Sequence, residues 1–283
     1  YRRYLAYFLR QPSLVDMATT RSTGANLPRL NPTTLADFDV PLPPLEEQKR
    51  IAAILDQADE IRRLRQRAIS RLNTLGQEIF YEMFGDPSDP TNNTPRMKIG
   101  DCCAVSSGAT PSRKVPENFG GDIPWVKTTE VDGRRISETS EHVTNVGKER
   151  ARLCLFPAGT VLIAMYGQGK TRGQAGMLTA PATTNQACAA IQCGDLLRPT
   201  FLFEQIKILY KSIRRLGQGG NQPNLTSGLI RNFEVLTPPL DIQDRFVEAM
   251  FEIEGATEAD RRSAENLEKL FVSVQDRAFR GDL

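Results

Sequence analysis

Residues Leu45 to Phe84, LEEQKRIAAILDQADEIRRLRQRAISRLNTLGQEIFYEMF, run for forty positions without proline and with Gly76 as their one glycine. Apolar residues recur along them at alternating spacings of three and four. A heptad with Ile51 at a places Ile51, Ala58, Arg65, Leu72 and Ile79 at a, and Ile54, Ile61, Ala68, Leu75 and Glu82 at d. Eight of those ten are apolar, the seam of a packed helix pair. At about 1.5 Å per residue the stretch makes a rod of roughly 60 Å. So long a helix with so narrow a seam needs a partner.

The partner is in the same chain. Gly24 to Arg50 (GANLPRLNPTTLADFDVPLPPLEEQKR) aligns without a gap onto Gly219 to Arg245 (GGNQPNLTSGLIRNFEVLTPPLDIQDR), at an offset of 195, with eleven identities in 27 positions. Each copy ends in a Pro-Pro-Leu entry to a helix, and each helix closes on Gly-Asp, at Gly85-Asp86 and Gly281-Asp282. The repeat unit is a domain followed by a long helix.

Length is consistent with one or two domains, and the repeat argues for one complete domain plus part of another. The segment around Tyr4, Leu5, Tyr7, Phe8 and Leu9 resembles the one around Phe201, Leu202, Phe203 and Ile206. Residues 1–44 therefore read as the tail of a first domain whose body is missing. Residues 45–84 are a central helix, 85–238 a complete domain, and 239–283 a second long helix. The chain shows no apolar run of about 18 residues and no signal peptide, which predicts a soluble protein with no membrane partner. Five cysteines (Cys102, Cys103, Cys154, Cys188, Cys193) lack any C-x-x-C spacing and read as reduced structural thiols of a cytoplasm.

A net charge of +2 conceals an uneven distribution. Residues 95–238 carry 18 Lys and Arg against 11 Asp and Glu, whereas residues 239–283 carry 6 against 11. A basic domain and an acidic helix suit a polyanion on the first and a protein partner on the second.

The complete domain begins after a Pro- and Asn-rich linker, Gly85 to Pro95. Ile123 to Val131 reads as a strand carrying the one tryptophan, Trp125, and Thr160 to Met165 as a continuous apolar strand. A Gly-rich loop, Tyr166 to Gly176, precedes a second apolar run, Ala187 to Cys193. Pro199 opens a helix with Leu202, Ile206, Leu209, Ile213 and Leu216 on one face and Gly217 as its stop. These elements predict an α+β fold: a compact domain plus two long helices in an antiparallel intrachain coiled coil.

Ala164 to Thr171, AMYGQGKT, fits a loose phosphate-loop pattern. That site must open a helix, and Arg172 to Pro181, with three of ten residues Gly or Pro, predicts none. His142 has no Cys or His at metal-ligand spacing and reads as a surface residue. No catalytic constellation is evident. The loops do suit nucleic-acid reading, because Arg and Lys neutralise phosphates while Arg, Lys, Asn and Gln distinguish base edges. The candidates are Ser106, Arg113 and Lys114 in the first loop, and Lys127 and Thr128 at a strand end. Tyr166, Gln168, Lys170 and Arg172 lie on the Gly-rich loop, Asn185 and Gln186 after it, and Gln218, Asn221 and Gln222 after the helix. Each alone more often reads as solvated surface; their grouping carries the argument.

The sequence resembles the specificity (S) subunit of type I restriction-modification systems. The resemblance rests on the repeated Gly-x-Asn-x-Pro…Pro-Pro-Leu-x-x-Gln lead-in (Pro43-Pro44-Leu45-Glu46-Glu47-Gln48 and Pro238-Pro239-Leu240-Asp241-Ile242-Gln243), on Gly108-Ala109-Thr110-Pro111, on Ile123-Pro124-Trp125-Val126, and on Asn185-Gln186. It implies target-recognition domains that each read half of a bipartite double-stranded DNA site, held apart by two antiparallel spacer helices. It also implies two methyltransferase subunits that methylate adenine, joined by motor-nuclease subunits. S-adenosylmethionine, ATP and Mg would then sit on those partners, with no cofactor and no catalysis on this chain. The chain departs from the pattern in lacking most of a first recognition domain and in having Asp241-Ile242-Gln243.

Carrying the heptad over by 195 puts Phe246, Ile253, Asp260, Leu267 and Val274 at a, and Ala249, Ala256, Ser263, Leu270 and Arg277 at d. Antiparallel pairing then brings Arg65 to Asp260, a polar layer expected to fix helix register and with it the DNA spacer. The competing expectation is a coiled-coil adaptor that binds only proteins.

Overall fold

A computed structural model describes residues 1–22, 29–167, 169–217 and 224–283. The helices are α1 (Arg2–Phe8), α2 (Pro12–Thr20), α3 (Pro32–Ala36), α4 (Leu45–Phe84), α5 (Ile99–Cys102), α6 (Asn145–Arg150), α7 (Pro199–Ile208), α8 (Tyr210–Arg215), α9 (Ser227–Arg231) and α10 (Leu240–Arg280). The strands are β1 (Arg96–Lys98), β2 (Cys103–Ser107), β3 (Phe119–Val126), β4 (Arg135–Ile136), β5 (His142–Val143), β6 (Val161–Ala164), β7 (Ala175–Leu178), β8 (Thr183–Thr184), β9 (Cys188–Cys193) and β10 (Glu234–Leu236). Two compact units result, residues 1–74 with 253–283 and residues 75–252, so that each long helix contributes to both.

Both long helices form where the sequence supplies unbroken helix-forming residues between defined ends. Glu46 and Glu47 in the first turn of α4, and Asp241 in that of α10, meet the positive end of the helix dipole. Gly85 (φ 71°) and Gly281 (φ 85°) supply the left-handed residue that stops each helix.

In the first unit, Tyr4, Tyr7, Phe8 and Leu14 form one core with Ile51 and Leu55 of α4 and Phe271, Ala278 and Phe279 of α10. The start of α4 thus meets the end of α10, an antiparallel pair. Farther along, Arg62 lies 4.3 Å over the ring of Phe271 and its Nε donates to Glu268 Oε2 at 2.8 Å. Arg65 Nη1 donates to Asp260 Oδ1 at 2.5 Å, the expected polar layer. The seven-residue period holds, but the second line of the seam lies one residue past the expected d positions. On that line Leu55, Ile69, Thr257, Phe271 and Ala278 are buried and Arg62 and Ala264 half-buried, whereas Ile61 is 50% and Leu270 59% exposed.

In the second unit, residues 75–84 of α4 meet residues 240–252 of α10. Phe80, Phe84, Phe201 and Phe246 pack with ring centroids between 5.0 and 6.0 Å apart. A Cβ on Gly76 would fall 2.8 Å from Met250 Cε, so glycine is what lets the methionine seat. The internal repeat recurs in these details. Gln48 Nε2 donates to Pro43 O at 2.8 Å, as Gln243 Nε2 does to Pro238 O at 2.7 Å. Phe279, the repeat equivalent of Phe84, likewise packs on aromatic rings, those of Tyr4 at 5.0 Å and Phe8 at 5.3 Å.

The main sheet of this unit has the order β2-β9-β6-β7-β4, with β2-β9, β9-β6 and β6-β7 antiparallel and β7-β4 parallel. Strands β6 and β7 are wholly buried, as a continuous apolar run demands, and α7 packs upon them. A second sheet has the order β5-β3-β8. Three details differ from the sequence expectations. The strand expected over Ile123 to Val131 is β3, ending at Val126, followed by a 3-10 turn at Thr128–Glu130. The Gly-rich loop expected over Tyr166 to Gly176 gives way to β7 already at Ala175. The single helix expected after Pro199 breaks at Leu209 into α7 and α8, and α7 is buried all round from Thr200 to Ile206 rather than amphipathic.

Candidate nucleic-acid interface

The sheet topology gathers three loops. Strand β2 ends at Ser107 opposite Ala189, β6 ends at Ala164 opposite Cys188, and Ala175 of β7 lies opposite Ile163. The ends of β2 and β6 and the beginnings of β7 and β9 therefore share one edge. The loop after β2, the Gly-rich loop after β6 and the Asn185-Gln186 pair before β9 all emerge there. Met165 N–H donates to Ala187 O at 2.8 Å, and Leu225 N–H to Met165 O at 3.0 Å.

Hydrogen bonds tie the motif segments together. Ala109 N–H donates to Thr184 O at 3.0 Å, and Asn185 N–H to Val126 O at 3.0 Å. Trp125 Nε1 donates to Ala109 O at 3.1 Å, and the Thr110 hydroxyl bonds Gln186 Oε1. Gly108 makes this approach feasible, because a Cβ there would fall 1.9 Å from Thr184 O. Gly108–Pro111, the Trp125 strand and Asn185-Gln186 are one connected structure.

Of the predicted residues, Ser106, Arg113, Lys114, Tyr166, Lys170 and Gln186 are exposed, and Lys127, Thr128 and Asn185 are half-buried. Asn185 Oδ1 accepts from Ala187 N–H at 3.1 Å, and Lys170 O accepts from Tyr210 Oη at 2.8 Å. Arg172 differs from its neighbours: it is buried, and its carbonyl accepts from Arg214 Nη1 at 3.3 Å. As placed, it supports the loop from within and does not present a charge outward. Gln168, Gln218, Asn221 and Gln222 lie outside the described residues.

The residue that sequence reading missed is Glu141. Its Oε2 pairs with Arg113 Nη1 at 2.7 Å and its Oε1 with Lys127 Nζ at 2.8 Å. Hydrogen bonds from Arg113 and then Lys127 hold its carboxyl below the ordinary carboxylate range. No local signal marks Glu141, because its partners lie 28 and 14 residues away.

Lys170 and Thr171 lead into β7 and not into a helix, so the phosphate-loop pattern lacks the element it needs. His142 is half-buried in β5 opposite Pro124. Among the described residues no group of His, Cys, Asp and Glu is placed to hold a metal ion, and no helix is long and apolar enough to cross a membrane. Cys102, Cys103 and Cys188 are buried free thiols, whereas Cys154 is exposed. Burial pushes the Cys102 thiol up to about 12.

The polar loops thus emerge together from one edge of the main sheet of an α+β unit. The family model of the type I restriction modification DNA specificity domain matches residues 2–74 and 93–269, and the chain belongs to that family. The chain is 26% identical over 182 residues to the type I restriction enzyme MjaIX specificity subunit of Methanocaldococcus jannaschii, a match covering 62% of this chain and 41% of that protein. It is 26% identical over 148 residues to the HindI specificity subunit of Haemophilus influenzae, covering 51% of this chain and 32% of that one. The matched region is thus less than half the length of either relative. Among solved structures, the S subunit of a type I restriction-modification system from M. genitalium is similar with a TM-score of 0.62 at 15% identity, covering 98% of this chain and 72% of that one. The HsdS subunit from Thermoanaerobacter tengcongensis is similar with a TM-score of 0.53 at 22% identity, covering 99% and 70%.

Proposed function

We propose that the chain is a non-catalytic specificity subunit that reads one half of a bipartite duplex DNA site through the loop face of its second unit. The observation that carries this reading is the convergence of three exposed polar loops on one edge of a sheet, held by the Gly108–Thr184 approach. Basic side chains there suit phosphates, and the amide side chains suit base edges.

In this reading residues 85–238 are the recognition domain, residues 45–84 and 239–283 the spacer helices, and residues 1–44 the tail of another recognition domain. The Arg65–Asp260 layer fixes the register of the helices and so the spacing of half-sites. The exposed helix faces dock methyltransferase subunits, two in the complete assembly, with motor-nuclease subunits added to them. S-adenosylmethionine, ATP and Mg belong to those partners, and the whole works in a prokaryotic cytoplasm.

Selection from a random duplex pool, with the full chain bound to its methyltransferase partner, tests the proposal. Enrichment of a short one-sided motif of a few base pairs is the expected result. Absence of enrichment at low salt would favour a coiled-coil adaptor that binds only proteins, a reading that the exposed apolar residues Leu64 and Leu270 on the helices also suit.

A further inference from the structure

Among the exposed cations of the loop face, Arg113 is held in a distinct way. Its guanidinium lies 4.6 Å from the ring centroid of Phe119 and 5.3 Å from that of Trp125, and its Nη1 meets Glu141 at 2.7 Å. The side chain is still 57% exposed. A guanidinium has five N–H donors in a rigid fork, so donors remain beyond the one turned to Glu141.

Glu141 is itself fixed. Trp125 N–H donates to its carbonyl at 3.0 Å, and so does the Thr139 hydroxyl at 2.8 Å. Its carboxylate takes Lys127 on the oxygen that Arg113 leaves. Behind it, Glu130 binds the N–H groups of both Lys127, at 2.8 Å, and Ser140, at 2.6 Å. The backbones that carry Lys127 and Glu141 are thereby clamped together.

We propose that Arg113 reads a guanine edge, and that Glu141, with the rings of Phe119 and Trp125, is the positioning shell that holds its fork for that purpose. The inference deepens the DNA-reading function proposed above and rests on it. A long side chain ordered before binding loses less entropy when it meets its target. Two donors in the plane of one guanidinium match the O6 and N7 acceptors that guanine presents in the major groove. Lys127, which shares Glu141, is a compact point charge without a fork and takes a phosphate.

The test is selection from the random duplex pool with the full chain and its methyltransferase partner, comparing wild type with Arg113→Lys and Glu141→Gln. Wild type is expected to prefer guanine at one position by about tenfold or more. Arg113→Lys, which keeps the charge and loses the fork, weakens that preference and leaves the other positions of the motif unchanged. Glu141→Gln weakens the same position alone, Glu141→Asp restores part of it, and the unfolding midpoint of each variant stays near that of wild type. A merely structural role for Glu141 would weaken every position together with a lower midpoint, and would overturn the assignment. A wild-type motif indifferent to both substitutions overturns it while leaving the DNA-reading function intact. A wild type that enriches nothing overturns both.

Discussion

Arg65 Nη1 donates to Asp260 Oδ1 at 2.5 Å, and the two residues stand 195 positions apart, the offset of the internal repeat. Each is therefore the other's equivalent in the repeat. An antiparallel pair of equivalent helices can join a residue to its own counterpart at one point along its length. At that point identical residues would meet, and a repeated arginine would face its like. Aspartate in one copy makes that layer an ion pair instead of a repulsive one.

The pair is partly exposed, with side-chain accessibilities of 37% and 21%. Its loss is accordingly expected to cost about 1 kcal/mol, the upper part of the range for ion pairs that water still reaches. Arg65→Ala should lower the unfolding free energy from urea titration by that amount, moving the midpoint to lower urea, and the charge-swapped pair Arg65→Asp with Asp260→Arg should recover most of it.

Phe246 is fully buried against Phe80, Phe84 and Phe201. Phe246→Ala leaves a cavity at the meeting of three elements and is expected to destabilise the fold by about 3–5 kcal/mol. Equilibrium unfolding measures this directly.

Leu270 on α10 is a large apolar side chain in water. If it docks a methyltransferase helix, Leu270→Glu abolishes co-purification with that subunit while the melting temperature of the isolated chain barely moves. Retention of the partner would remove this face from the docking surface.

Glu141 carries the pH dependence of the loop face. Its carboxyl lies below the ordinary 4.5 because Arg113 and Lys127 favour the charged form. A carboxylate with a depressed folded value contributes stability above its unfolded value and loses it as pH falls through the folded one. Because water still reaches these ion pairs, wild type and Glu141→Gln should differ only slightly in unfolding midpoint at pH 6, and that small difference should vanish as pH falls below 4.5.

The long helices, their antiparallel pairing and the Arg65–Asp260 contact were legible in the sequence, because period and repeat state them. The side of the seam was not. Apolar residues occupy both candidate lines, Ile54, Ile61, Ala68 and Leu75 on one and Leu55 and Ile69 on the other. The second line also holds Arg62 and Gly76, which look unsuited to a seam until the partner helix is seen. Arg62 lies over Phe271, and Gly76 makes room for Met250. Strand β7 was hidden for a related reason: Gly173, Ala175 and Gly176 read as loop, yet Gly176 is buried because Ile136 fills the space a side chain would take. At the loop face the cations were visible as types, whereas Glu141, which orders two of them, joins them only through the fold.

The salt dependence of duplex binding by the full chain bears most directly on the central claim. Phosphate contacts release counterions, so the logarithm of affinity should fall linearly with the logarithm of salt concentration. Lys114→Ala and Lys170→Ala should each reduce that slope by about 1. Binding indifferent to salt, or a slope unchanged in both variants, would contradict a DNA-reading loop face.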